Sequence, residues 1–103
     1  MELNLDSEGF LRDLNEWSES AAEALARRES VELTEAHWEI IHLIRRYYGQ
    51  FNLSPPNRVL VKTTRDQLGP DKGNSIYLMT LFGGKPAKMV AKIAGLPKPN
   101  NCD

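Results

Sequence analysis

One run of apolar residues restricts the fold more than anything else in this chain. Trp38, Ile41, Ile44, Tyr48 and Phe51 recur at spacings of three and four, and Ile40, Leu43 and Tyr47 add a flanking stripe. Thr34 stands where an N-cap is needed, so a helix is expected from there to about Phe51. Its wide apolar face makes it the expected central, most buried helix.

Around it the chain is punctuated into shorter pieces. Leu3, Leu5, Phe10 and Leu11 flank Asp6-Ser7-Glu8-Gly9, which reads as a small β-hairpin. Asp13-Leu14-Asn15-Glu16 has capping-box spacing, and Ser18 offers a second N-cap. The Ala-rich run Glu19 to Arg28 is helical by propensity, with Ala22, Leu25 and Ala26 facing inward and Arg27-Arg28 suiting the helix dipole. Ser54-Pro55-Pro56 stops the long helix and starts another, with Ser as the cap, which runs to about Leu68 before Gly69-Pro70. Asn74 to Phe82 reads as a short buried helix, and Pro86 opens a last one to about Ala94, closed by Gly95. The expected class is α+β: a small N-terminal β-hairpin or meander on an array of about five helices.

The ending Leu96-Pro97-Lys98-Pro99-Asn100-Asn101-Cys102-Asp103 does not fit a helix, because two prolines two apart forbid one. Residues 1–95 are therefore expected to form one domain, and residues 96–103 a flexible C-terminal arm. No apolar stretch approaches the ~20 residues of a membrane span, and the acidic N-terminus is no signal peptide. With a single cysteine and no export signal, a reducing cytoplasm is the expected setting.

The net charge of −1 conceals a division. Residues 1–42 hold three basic side chains against eleven acidic ones, a net of −8, and residues 43–103 hold ten against three, a net of +7. Such a split points either to charged partners or to two halves that attract each other in the fold.

Cys102 carries the chemistry on offer. Most free cysteines are buried and inert, but a residue following Pro99-Asn100-Asn101 has no core to enter. The Pro-Lys-Pro spacer is stiff and extends reach. Asp103 and the terminal carboxylate disfavour the thiolate, and no catalytic base is nearby. The thiol should be quiet alone and reactive in a partner's pocket. His37 and His42 are five apart, which misses the spacing of a helical metal pair, so no metal site is expected. Arg58, Lys62 and Arg65 form a basic stripe preceded by Arg45-Arg46; it is either a solvated face or a surface for phosphates.

These residues resemble the DsrC/TusE family of sulfur-relay proteins, and closely its TusE branch. The matching pieces include Gly9-Phe10-Leu11, Trp17-Ser18-Glu19, His37-Trp38-Glu39, Arg45, Ser54-Pro55 and Asp71-Lys72-Gly73-Asn74-Ser75. The most specific piece is the ending, Pro86-Ala87-Lys88 and then Lys92 to Pro99 with Cys102. The resemblance implies that Cys102 is the catalytic residue and receives sulfane sulfur as a persulfide. It implies a donor complex of the TusBCD type and a tRNA thiolase of the MnmA type as acceptor, for 2-thiouridine at the wobble position. No cofactor is expected. DsrC proteins of sulfite reduction carry a second cysteine eleven residues before the penultimate one; here that position is Ala91, which leaves a single-cysteine carrier. Gly83-Gly84-Lys85 also departs from the family's usual Pro-containing turn. Lys88, Lys92 and Lys98 are the expected docking surface. The alternative function is a nucleic-acid-binding regulator using Arg58, Lys62 and Arg65, and a weak nucleic-acid contact would suit the same stripe.

Overall fold

Five α-helices and one 3-10 turn make up the described residues, 3–100, of the computed structural model. Cys102 and Asp103 lie outside the described residues.

The β part of the expected α+β class is not among them. Leu5 and Leu11 form one isolated antiparallel bridge, with no strand or sheet in the described residues. The chain does reverse here: the Asp6 amide donates to the Phe10 carbonyl at 2.8 Å and the Arg12 amide to that of Asn4 at 2.9 Å. Yet the Asp6 carboxylate takes the amides of Glu8 and Phe10 at 2.9 and 3.0 Å. A side chain, instead of a partner strand, satisfies the donors of the turn. Beyond Arg12 the backbone departs at once, because Asp13 caps the 3-10 turn Leu14–Glu16. What sits on the helices is a turn anchored by the buried Phe10 and Leu11.

Helix α1, Glu19–Arg28, starts where Ser18 accepts the Ala21 amide, and it buries Ala21, Ala22, Leu25 and Ala26. Helix α2, Glu35–Phe51, buries His37, Ile40, Ile41, Leu43 and Ile44. Its apolar stripe is narrower than the spacing predicts, since Trp38 and Tyr48 are half-buried and Phe51 is exposed. The His37 ring bridges two elements. Nδ1 accepts from the Thr34 amide at 3.1 Å, and Nε2 lies 2.8 Å from the Leu81 carbonyl, to which it must donate. That geometry fixes the Nε2–H tautomer and ties the start of α2 to the backbone at Leu81.

Helix α3, Asn57–Leu68, is not capped by Ser54; Pro56 holds the cap position and supplies no side-chain bond. Helix α4, Ser75–Phe82, is capped by Asn74, which accepts from the Tyr77 amide at 2.8 Å. Just before it, a Cβ on Gly73 would lie 2.2 Å from the Arg65 Cα, so a side chain there would drive α3 and this loop apart. Only Leu78 and Phe82 of α4 are buried, while Ile76 and Met79 face outward, which corrects the expectation of a buried helix.

The centre of the fold is α5, Pro86–Ile93, and not α2. It packs on each of the other four helices and buries Pro86, Ala87, Val90, Ala91, Lys92 and Ile93. Small residues explain the reversal: Ala87, Ala91 and Ala94 let neighbouring backbones approach on several sides. The Asn57 side chain of α3 accepts the Ala87 amide at 2.9 Å, so the first turn of α5 is capped by another helix.

Candidate functional site at the root of the arm

An eight-residue helix ending in the core leaves its last carbonyls to be satisfied. Here two are taken by backbone and the others by side chains from distant elements. The Leu96 amide returns to the Ala91 carbonyl at 2.9 Å and the Gly95 amide to that of Lys92 at 3.2 Å, with Gly95 at φ +71. This is a Schellman-type ending, in which the residue after the glycine, Leu96, is buried. The Trp17 indole N–H donates to the Ile93 carbonyl at 3.0 Å. Arg45, from α2, donates to the Ala94 carbonyl, and its guanidinium lies 3.8 Å from the Trp17 ring centroid. The Ser54 hydroxyl donates to the Pro97 carbonyl at 2.6 Å. Three side chains from three parts of the chain therefore grip residues 93–97. Glycine is required at 95, because a Cβ there would lie 2.4 Å from Trp17 Cδ1.

The grip extends along the start of the arm. Pro99 is buried, and Lys98 Nζ lies 3.1 Å from a Glu8 carboxylate oxygen. Lys88 approaches the same carboxylate at 3.4 Å. Together the two lysines hold the Glu8 carboxyl below its ordinary value, Lys98 acting most strongly through its hydrogen bond. Lys92 differs from both. Its side chain is 11% exposed, and Nζ sits 3.4 Å from Glu29 and 5.3 Å from the Phe10 ring centroid. Ala91 is fully buried.

Part of the charge division is thus spent inside the fold. The pairs Lys72–Glu39, Lys88–Glu8, Lys92–Glu29 and Lys98–Glu8 all join the basic half to the acidic half. Of the basic stripe on α3, Lys62 pairs with Asp66 at 3.0 Å and Arg65 Nε donates to the Gly73 carbonyl at 3.3 Å. With Asn57, Arg58, Val61 and Ser75 these two line a groove of about 520 Å³. Among the described residues no group of three or more His, Cys, Asp or Glu side chains is placed to hold a metal ion. No helix among them is long and apolar enough to cross a membrane.

Sequence reasoning assigned no role to Trp17, Arg45 or Ser54 in holding the arm. Trp17 stands outside every apolar period, between Glu16 and Ser18, and Arg45 sits among the polar positions of a strongly amphipathic helix. An isolated tryptophan before a helix and a hydroxyl before two prolines were the only available signals.

Residues 1–102 match a family model described as DsrC like protein. The chain is 50% identical over 102 residues to the sulfurtransferase TusE homolog of Haemophilus influenzae, spanning 99% of this chain and 94% of that protein. Over 101 residues it is 50% identical to the sulfurtransferase TusE of Sodalis glossinidius, spanning 98% and 94%. Among solved structures it is similar to that of Allochromatium vinosum DsrC, with a TM-score of 0.88 and 44% identity over 98% of this chain and 90% of that one. The oxidized gamma-subunit of the dissimilatory sulfite reductase (DsrC) from Archaeoglobus fulgidus gives a TM-score of 0.84 and 45% identity, over 98% and 92%.

Proposed function

This chain belongs to the DsrC-like family, and from that premise we propose that it is a persulfide carrier in a sulfur relay, with Cys102 as the carrying group. The observation that supports this most is end-to-end similarity to sulfurtransferases named TusE in a chain with one cysteine.

The transfer needs no redox partner. The Cys102 thiolate attacks the outer sulfur of a donor persulfide, the donor's S–S bond breaks, and the donor leaves as a thiolate with the bonding pair. Cys102 now bears the persulfide. An acceptor thiolate then attacks that outer sulfur, and Cys102 departs as thiolate in its turn. Each step makes one S–S bond and breaks one. The donor is a complex of the TusBCD type and the acceptor a tRNA thiolase of the MnmA type, acting in the cytoplasm to make 2-thiouridine at the wobble position. Residues 96–103 serve as the arm that carries Cys102. Its docking edge is the half-buried Lys88 and the exposed Lys98 around Glu8, supported from beneath by Lys92 on Glu29.

The test is intact mass after incubation with a sulfur donor. Wild type should gain one sulfur, removable by a reductant, and Cys102→Ser should gain none while melting at the same temperature. Sulfur gained by Cys102→Ser would overturn the assignment.

A further inference from the structure

We propose that the outward face of α4, with the groove it leads into at Gly83-Gly84, is a docking site for the sulfur donor, a protein presenting apolar side chains bordered by carboxylates. The proposal rests on the carrier function above and says which face of the body the donor takes.

Helix α4 is apolar nearly all round, with Ile76, Leu78, Met79, Leu81 and Phe82 in a short span. Such a helix is normally covered on every side. The fold covers only the face with Leu78 and Phe82, and leaves Ile76 76% and Met79 42% exposed. Met79 follows Ile76 at the third position and Gly83 at the seventh, so all three share one side of the helix. The stripe therefore ends at a groove of about 340 Å³, whose apolar lining is the buried Phe82 and the half-buried Met89. Gly84 lines the groove too. Its φ is not positive and nothing lies within 4 Å of a Cβ placed there, so the fold itself gives no reason for a glycine. A glycine without such a reason only loosens the chain. What its missing side chain provides is an open groove.

The rim supplies the charge. Lys85, Lys88 and Lys92 line the groove, and Lys98 stands beside Lys88 on Glu8. Against these four lysines the ion pairs set only Glu8 and Glu29, and no carboxylate pairs with the exposed Lys85 among the described residues. An excess of positive charge around an apolar stripe matches a protein surface with an acidic rim. That chemistry separates the two proteins a relay carrier must meet. A thiolase acting on tRNA needs cations of its own around its catalytic mouth, and these would repel the lysines. The tRNA phosphates, for their part, gain nothing from Ile76 and Met79. A donor that hands over only sulfur has no nucleic acid to hold, and its rim is free to be acidic.

The experiment measures how tightly full-length wild type, Gly84→Trp, Ile76→Ser and Lys85→Glu bind a donor complex of the TusBCD type under reducing conditions. Binding to an MnmA-type thiolase with its tRNA is measured separately. Gly84→Trp fills the groove from a position with open space, and Ile76→Ser breaks the stripe at its most exposed point. Each should weaken donor binding by about tenfold or more while melting close to wild type. Lys85→Glu should weaken it by about three- to tenfold, through slower association, and less as salt rises. Thiolase binding should stay within about twofold in all three variants. Loading of Cys102 from glutathione persulfide, read by intact mass, should match wild type. If Gly84→Trp does not fold, Ile76→Ser carries the test. Unchanged donor affinity in both overturns the docking site, and a loss confined to the thiolase overturns its assignment to the donor. A wild type that binds the donor yet takes sulfur neither from it nor from glutathione persulfide overturns the carrier function, while the affinities still decide the groove.

Discussion

Replacing Gly95 with alanine tests whether the exit of α5 is as constrained as its contacts indicate. Two costs add. An L-residue at φ +71 loses about 1–2 kcal/mol relative to glycine. The new methyl would also stand 2.4, 2.8 and 2.9 Å from Cδ1, Cγ and Cβ of Trp17, well inside the ~3.5–4.0 Å of an ordinary carbon contact. Trp17 cannot simply retreat, because its N–H is bound to the Ile93 carbonyl and its face lies under Arg45. Overpacking of this kind costs about 1–3 kcal/mol. The total, about 2–5 kcal/mol, is a large share of the ~5–15 kcal/mol that holds a small domain folded. At roughly 4–8 °C per kcal/mol, Gly95→Ala should melt roughly 8–40 °C below wild type. Two comparators separate the costs. Gly83 has φ +88 with nothing within 4 Å of a new Cβ, so Gly83→Ala should pay only the backbone term, about 1–3 kcal/mol. Gly84 has neither restriction, and Gly84→Ala should stay within about 0.5 kcal/mol of wild type. Urea unfolding of the three variants, followed by circular dichroism, gives the order. If Gly95→Ala unfolds no more easily than Gly83→Ala, the close approach to Trp17 is not a constraint and the tight packing of the exit is refuted.

Two other substitutions probe the core and the arm. Thr64 is fully buried and its hydroxyl has no hydrogen-bond partner. Thr64→Val should therefore raise stability by about 1 kcal/mol, read as a higher urea midpoint at unchanged slope, and a lower midpoint would show that the hydroxyl is bonded after all. Glu8 has its carboxyl held below its ordinary 4.5 by Lys98 and then Lys88, so its pairing stabilises the fold above pH 4.5 and fades as pH falls through the lowered folded value. Stability should drop more steeply in that acid range for wild type than for Glu8→Gln, and equal slopes would mean that the pairs do not form in solution.

The helices were legible because local signals and tertiary needs agree in them. Ser18, Asn74 and Pro86 start helices where their chemistry says they should, and glycines follow α3, α4 and α5. The β-hairpin was not there to be read. Leu5 and Leu11 alternate as strand residues do, but Asp6 competes for the amides a partner strand would need. Burial was the other weak point. Ile76, Met79 and Phe51 are apolar and exposed, whereas Lys92 is charged and buried beside Glu29. No periodicity reports a partner 63 residues away. The same holds for the exit of α5: Trp17, Arg45 and Ser54 share no sequence neighbourhood, and only the folded backbone gathers them around three carbonyls.

That α5 lies at the centre has a consequence for how the protein is made. Its residues, 86–93, are translated after every helix they pack against, and α1 must wait for a partner more than 55 positions downstream. Chains fold from the N-terminus as they emerge where they can, but here the first four helices lack the element that each of them touches. The core can close only when synthesis has nearly reached the arm. A ribosome that stalls before codon 86 releases a chain that cannot bury Ile40, Leu60 or Leu78 against its missing keystone, and such chains are the natural prey of proteases. Folded copies lacking the arm should therefore be rare in the cell, since the helix that completes the body is the one from which the arm grows.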